Sequence, residues 1–310
     1  MKDVIRRDLR LSYLVAPFRI VVPILGYVVL YPVILSDFDA AILGLWSLLA
    51  VIPQALSSID FGFSLILTRE VGGTDGKDLR VAASKYRAAQ GAFLIAGPML
   101  VTAAVSACVF LPLDHLNYPV FGIQFSIIVM TATVILQRLA ALDLAILNGL
   151  GDNYYTHFVA VWSPVIFFGV AVAGALIRLP LEALSIGFVS SVAISWAAYR
   201  RRLRSKHAAW SETEKMPMRA VRFGAIGSLM RDGWLLYAAS LGIMLRDPLL
   251  RYSIGLSIGL EAVAVYEVAM RLGRTGRDLI SSGFSALYSS FSILIRQKEF
   301  DEMKIITTDA

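Results

Sequence analysis

One uninterrupted apolar run constrains this chain more than any other feature. Residues 40–59 carry no charged side chain and lie between the acidic turn Ser36–Asp39 and a polar segment that begins at Asp60. About 20 helical residues, each rising 1.5 Å, cross the roughly 30 Å hydrocarbon core of a bilayer. Helices of soluble domains are usually shorter and carry a polar face. The run therefore predicts a membrane-spanning helix.

Similar charge-free runs recur along the chain and predict an all-α, polytopic membrane helix bundle. Six spans are predicted at residues 20–35 (extended toward Leu14 past Arg19), 40–59, 88–113, 118–137, 158–177 and 183–199. Two less regular spans follow at 223–245 and 256–295, the second interrupted by charges. The composition agrees, because 57% of residues are hydrophobic and 17% charged, against about 45–50% and 25% in soluble domains.

The spans divide the chain into three predicted parts. Residues 1–199 form a complete six-helix transmembrane bundle, and residues 200–222 form a basic cytoplasmic linker. Residues 223–310 contribute the first two helices of a second, incomplete bundle.

Cations concentrate in alternate loops, and this bias predicts the orientation. They cluster at residues 2–10, 69–87 and 200–222, whereas the intervening loops contain a single cation, Arg178. Lys and Arg accumulate on the cytoplasmic side of membrane proteins, so we expect a multi-pass protein of the inner (cytoplasmic) membrane with a cytoplasmic N-terminus. The same loops account for the net charge of +6 without a nucleic-acid partner.

No pattern in the sequence indicates an enzyme, a cofactor or a metal site. The single cysteine, Cys108, lies in an apolar run, and the three histidines are scattered. The sequence contains neither a Ser/His/Asp arrangement nor a phosphate-binding loop that follows a strand.

Charged residues within spans are the candidate functional residues, since each costs on the order of 2.5–3.5 kcal/mol at mid-helix. Arg231 and Asp232 lie about two turns into the span at 223–245. We expect Arg231 to contact an anionic group and Asp232 to hold it in place or accept a proton. A local ion pair without substrate contact explains the two residues equally well.

A polar stripe is predicted along the last span. Glu267, Arg271, Arg274 and Asp278 follow one another at three- and four-residue steps, so they share a helix face. Such a stripe is expected to face the bundle interior, as a substrate contact or as a salt-bridged seam between helices.

Three further charges lie near predicted membrane boundaries, where a charged side chain can reach water and so costs little free energy. Arg19 and Arg138 are candidate substrate contacts, although each is close enough to the boundary to extend toward it. Asp60 is a candidate for the residue that couples transport to an ion. The simpler interpretation is that Asp60 caps a helix at the membrane interface and that the helix breaks at Gly62. Asp143, five residues after Arg138, does not share its face.

An ordered set of short motifs extends over nearly the whole chain. The set consists of Gly44–Ser47 after an acidic turn, Asp60–Phe63 before Arg69–Glu70, Leu147–Gly151 before Tyr154–Tyr155, and Gly259–Tyr266 before Arg271–Leu272. This set resembles the polysaccharide (O-antigen) flippase family of the multidrug/oligosaccharidyl-lipid/polysaccharide exporter superfamily. The resemblance implies a non-enzymatic, alternating-access transporter that moves undecaprenyl-pyrophosphate-linked oligosaccharide across the inner membrane for surface polysaccharide synthesis, lipopolysaccharide included.

The resemblance also implies partners and an architecture. The expected partners are the lipid-linked glycan, membrane lipids and proteins of polysaccharide assembly. Members of the family fold as two six-helix bundles that face each other across a central cavity. With about eight predicted spans, this sequence is expected to be truncated relative to that plan, as a fragment or as a shortened gene.

Two other functions stay open at this point. A cation-coupled multidrug exporter of the same superfamily would need an acid deep in the first bundle, and the first span offers Arg19 and no acid. A truncated, non-transporting membrane partner is the other alternative. A faint internal repeat relates residues 39–64 to residues 261–285, and transporters are often built from such repeats.

Overall fold

The computed structural model describes residues 15, 17–57, 63–72, 79–110, 118–206, 210, 242, 246–271 and 273–274. Within these ranges the chain is helical and contains no strand, which confirms the predicted all-α bundle. The helices are α1 (Phe18–Asp37), α2 (Ala40–Ser57), α3 (Phe63–Gly72), α4 (Leu79–Phe110), α5 (Val120–Gly149), α6 (Asn153–Leu176), α7 (Pro180–Lys206), α8 (246–257) and α9 (260–271).

Several helices have the length and composition that a membrane requires. In the described ranges four are long and apolar enough to cross a bilayer, namely α1, α5, α6 and the part of α7 up to Ser205. Each of these helices contains an 18-residue stretch whose mean hydropathy lies between 1.5 and 2.1. The apolar helix Ala40–Pro53 within α2 is shorter.

Three long helices continue beyond the charge-free runs that the sequence showed. The helix α4 begins at Leu79 rather than near Ala88, α5 continues past Gln137 to Gly149, and α7 reaches Lys206. Residues 200–206, assigned above to a linker, are therefore helical. Among the charged side chains in these extensions, Lys85 pairs with Glu70 of α3, and Arg200 of α7 pairs with Asp143 of α5, so these charges do not end the helices. The short helix α3 occupies a segment expected to be loop.

The helix α5 is central to the packing of the first seven helices. This helix contacts α2, α3, α4 and α7, while α6 lies between α1 and α7. One apolar cluster lies near the α1–α2 connection and includes Leu30, Trp46 and Phe168. A second lies around α3, at the opposite end of the bundle, and includes Tyr86 and Leu142.

The helix α9 packs directly against α2. A Cβ added at Gly44 would lie 2.7 Å from the carbonyl carbon of Leu260, so only glycine permits this approach of the two backbones. Gly259, with φ of +120°, forms the turn between α8 and α9, a conformation that disfavours other residues. The predicted span at 256–295 thus begins as a helix at Leu260. The other predicted span, 223–245, falls outside the described residues apart from Gly242.

Replacing either of two glycines that face open space by alanine should change the free energy of unfolding, but in different directions. Gly151 has φ of +81° in the α5–α6 turn, whereas Gly169 lies within α6, and a Cβ at either position would meet nothing within 4 Å. We expect Gly151→Ala to lower the free energy of unfolding by about 1–2 kcal/mol through backbone strain. Gly169→Ala should be neutral or stabilising by about 0.5–1 kcal/mol. Thermal unfolding in detergent measures both, and equal effects would contradict the assignment of strain to residue 151.

Candidate functional site

A buried ionic cluster joins α8 and α9 to α2. The Glu267 carboxylate accepts a hydrogen bond of 3.0 Å from the Ser47 hydroxyl. The same oxygen, Oε2, lies 2.7 Å from Nη2 of Arg251. The other oxygen, Oε1, lies 2.7 Å from Nε of Arg271. The side chain of Arg251 is 2% exposed and that of Glu267 8%. We call these four residues the Glu267 cluster.

Aromatic side chains of the first bundle surround the cluster. The guanidinium carbon of Arg271 lies 3.8 Å from the ring centroid of Tyr27 on α1, a cation–π contact. Beside it is a small cleft between α1, α2 and α9, with room for about one water molecule. The residues that line the cleft are Tyr31, Leu43, Trp46, Ala264, Glu267, Val268 and Arg271.

Local sequence and chain reversal together build the cluster. Glu267 and Arg271 are four residues apart on α9, the spacing at which an acid and a cation on one helix pair. Arg251 comes from α8, which the Gly259 turn folds back against α9. Ser47 lies one turn after Gly44, where the two backbones approach most closely. An isolated buried carboxylate would cost several kcal/mol, and the two guanidiniums and the hydroxyl offset this cost.

The chemistry of the cluster suits an anion. Two guanidinium groups contact the same carboxylate, so cationic hydrogen-bond donors are concentrated at this point. Guanidinium groups bind carboxylate and phosphate oxygens through paired N–H donors. Of the residues lining the cleft, Glu267 is the only acid. Across the described ranges, no group of three or more His, Cys, Asp or Glu side chains is placed to hold a metal ion.

A second buried cluster lies near α3, at the other end of the first bundle. Asp143 on α5 is fully buried, accepts a hydrogen bond from the Tyr86 hydroxyl on α4, and pairs with Nη1 of Arg200 on α7 at 3.2 Å. Gln90 donates to the Tyr86 hydroxyl at 2.7 Å, and Arg200 also donates to it. This Asp143 cluster ties together α4, α5 and α7.

The predicted site residues are found at different places. Glu267 and Arg271 are in the cluster described above, whereas Arg274 pairs with Asp247 of α8 at 2.5 Å. Burial raises the pKa of Asp247, but hydrogen bonds from Arg246 and Arg274 outweigh burial and hold this pKa below its usual value. Asp60, Arg231, Asp232 and Asp278 lie outside the described residues.

The two predicted arginines of the first bundle lie in neither cluster. Arg19 is exposed, and its Nη1 lies 2.8 Å from Nδ1 of His157 on α6. Arg138 is half-buried within α5. The expectation that Arg138 marks a helix end is wrong, because α5 continues to Gly149.

Sequence reasoning missed Arg251, Ser47 and the Asp143 cluster. Arg251 was assigned to a connection between spans, although apolar residues flank it at Leu249, Leu250 and Tyr252. An arginine among apolar residues is the signal that could have identified it. Ser47 belongs to the Gly44–Ser47 motif, but the sequence did not indicate its contact with Glu267, which lies 220 positions away.

The comparisons with known proteins bear on the fold. No family model and no curated protein matches the sequence. Solved structures do match. One is a transporter of the MOP superfamily from Pyrococcus furiosus, described as having a binding pocket of reverse polarity that suggests a different function. It is 15% identical with a TM-score of 0.61, over 97% of this chain and 67% of that one.

Two other similar structures are conformations of a MATE family multidrug resistance transporter of the same superfamily. The inward-facing form is 15% identical with a TM-score of 0.61, over 93% of this chain and 68% of that one. The outward-facing form is 14% identical with a TM-score of 0.60, over 97% and 67%. The chain therefore has the fold of MOP superfamily transporters and spans about two thirds of their length. Membership of the polysaccharide flippase family stays a prediction.

Proposed function

We propose that this chain belongs to a membrane transporter that moves an undecaprenyl-pyrophosphate-linked oligosaccharide across the inner membrane for surface polysaccharide synthesis. The observation that carries the proposal is the position of Arg271, a cation on the wall of a cleft between α1, α2 and α9. In a MOP-type fold, the substrate pathway is expected between the helix groups that these helices represent.

The chemistry of the substrate agrees with the site. A pyrophosphate needs cationic hydrogen-bond donors that are shielded from lipid, and Arg271 provides such a group on the wall of the cleft. Tyr31 and Trp46 line the same cleft, and each carries a polar group that can form a hydrogen bond with a sugar. We propose Arg231 and Asp232 as further contacts from the preceding span, with Arg19, Arg138 and Asp60 as secondary candidates.

The proposal includes a location and partners. We propose a multi-pass protein with a cytoplasmic N-terminus, because the basic segments lie on one side of the predicted topology. The lipid-linked glycan, the surrounding lipids and the proteins of polysaccharide assembly are its proposed partners.

Replacing Arg271 tests the proposed function. In the full-length gene product, expressed in a strain that lacks it, we expect Arg271→Ala to lower surface polysaccharide at least about tenfold. The reason is that a hydrogen bond to a charged group contributes about 1.5–3 kcal/mol, where 1.4 kcal/mol is a factor of ten. Immunoblotting of surface polysaccharide measures export, and a parallel blot of the membrane fraction verifies insertion.

The matched control is Arg246→Ala on α8, where the side chain is 57% exposed. It makes the same chemical change outside the cleft and should preserve export. Wild-type export by the Arg271→Ala variant, at equal membrane levels, would remove Arg271 from the substrate site.

A second candidate is a multidrug exporter of the same superfamily. It is favoured by the acid and aromatic residues in the cleft, where Glu267, Tyr31 and Trp46 are suited to an organic cation. The structure also contains a buried acid in the first bundle, Asp143. An acid in this bundle is what a cation-coupled exporter would need. Drug resistance conferred on a hypersensitive host, with no effect on polysaccharide, would favour this candidate.

A further inference from the structure

The Glu267 carboxylate occupies the place where Arg271, on the wall of the cleft, and the neighbouring Arg251 would bind an anion. It is paired with Arg251 and Arg271 at 2.7 Å each, and its own side chain is 8% exposed. A phosphate group placed between the same two guanidiniums would use the same N–H donors. Substrate and carboxylate therefore cannot both hold these arginines.

The same carboxylate also ties the two halves of the chain together. Ser47 of α2 donates to the Glu267 oxygen that faces Arg251. Nearby, Gly44 lies against the Leu260 backbone, and a Cβ at Gly255 of α8 would lie 3.4 Å from Leu48 of α2. The carboxylate is thus an anion in the cleft and a polar contact across the α2–α9 interface.

We propose that Glu267 is a built-in competitor for the diphosphate of the substrate, and that its displacement releases α9 from α2. This inference rests on the proposed function and adds to it Arg251 as a substrate ligand and Glu267 as the residue that couples binding to opening. A diphosphate brings at least two negative charges and several acceptor oxygens, against one charge and two oxygens for the carboxylate. The displaced carboxylate turns into the cleft and loses the Ser47 hydrogen bond.

The exchange gives a function to the contact of Glu267 with both arginines. Without a counter-ion, two buried guanidiniums would repel each other and destabilise the resting protein. The Glu267 carboxylate neutralises part of this charge. Because it is tethered to α9, its effective concentration at the arginines is high, so only a more highly charged ligand replaces it. The affinity for substrate is lowered as a result, which assists release on the far side of the membrane.

The test measures diphosphate binding by the full-length protein in nanodiscs of neutral lipid. The probes are farnesyl diphosphate, inorganic pyrophosphate and the uncharged alcohol farnesol. We expect Glu267→Gln to bind farnesyl diphosphate at least about tenfold more tightly than wild type, because the competing charge is gone. Glu267→Asp keeps the charge on a shorter side chain and should give an intermediate affinity. Farnesol should bind all three proteins equally.

The control variant is Glu261→Gln, which removes an exposed acid from the same helix. It should bind farnesyl diphosphate as wild type does. If inorganic pyrophosphate also binds more tightly to Glu267→Gln, the site recognises the free anion. If only farnesyl diphosphate does, the prenyl chain contributes to recognition. Either result supports the exchange.

A distance measurement tests the release of α9. Spin labels at Ser36→Cys and Ile258→Cys, both exposed, report on the α1–α2 connection and the α8–α9 turn, with Cys108 replaced by serine. We expect farnesyl diphosphate to lengthen this distance in wild type. Glu267→Gln should show part of the lengthening without ligand.

The outcomes separate the inference from the proposed function. Diphosphate binding that needs Arg271 but is no tighter in Glu267→Gln would overturn the exchange and leave the proposed function intact. An unchanged label distance on binding would also overturn the exchange. If no diphosphate binds wild type or any variant, the proposed substrate class is wrong, and the exchange is overturned with it.

Discussion

Replacing Gly44 by leucine is expected to separate α2 from α9 and to abolish their close contact. The Cβ of any residue at position 44 would lie 2.7 Å from the carbonyl carbon of Leu260 and nearer still to its oxygen. These are backbone atoms, so no side-chain rotation relieves the overlap, and the helices must move apart by an ångström or more. The Ser47–Glu267 hydrogen bond would then be lost, because hydrogen bonds weaken steeply beyond normal length.

Cysteine cross-linking between α2 and α8 reports this separation, because α8 packs against α9 at Gly255 and Val263. A Cβ at Gly255 would lie 3.4 Å from Cδ1 of Leu48, so cysteines at 48 and 255 are close enough for a short bifunctional reagent. In a Cys108→Ser background we expect Gly44→Leu to slow cross-linking at least about tenfold, with Gly44→Ala showing a smaller effect. Gly169→Leu, which meets open space on α6, should leave the rate unchanged. Undiminished cross-linking in Gly44→Leu would show that the two backbones are not in contact.

The sequence predicted what depends on local pattern. Charge-free runs located the long helices, because an apolar run of bilayer length has few alternatives to a membrane helix. The four-residue spacing of Glu267 and Arg271 predicted a shared face, and the structure places the two side chains in an ion pair on α9. Both inferences need only the geometry of a single helix.

Helix ends were predicted less well. The prediction placed them at the first charged residue, but a helix can continue through a charged residue whose side chain pairs with another helix. Arg200 lies beyond the charge-free run of α7, yet α7 continues because Arg200 reaches Asp143 and Tyr86 on other helices. The pairing of Ser47 with Glu267 depends on how α2 and α9 meet, which no short window of sequence contains. Arg251 entered the cluster only through the turn at Gly259.

The largest loss of stability is expected from removing Arg200. Its guanidinium pairs with the carboxylate of Asp143, whose side chain is fully buried. Removing one partner of a buried pair costs about 3–5 kcal/mol, because the remaining charge is left uncompensated in a medium of low polarity. We therefore expect Arg200→Ala to lower the midpoint of thermal unfolding in detergent by on the order of 10 °C.

Two further variants distinguish loss of the ion pair from loss of side-chain volume. Arg204→Ala removes an exposed arginine one turn further along α7 and should change the midpoint little. Adding Asp143→Asn to Arg200→Ala removes the buried charge that has lost its Arg200 partner. The Tyr86 hydroxyl keeps a polar neighbour, so part of the lost stability should return. If the double variant is as unstable as Arg200→Ala, the destabilisation comes from packing. Recovery would show that the charge of Asp143 is what requires Arg200, and hence why α7 continues as a helix into a strongly basic segment.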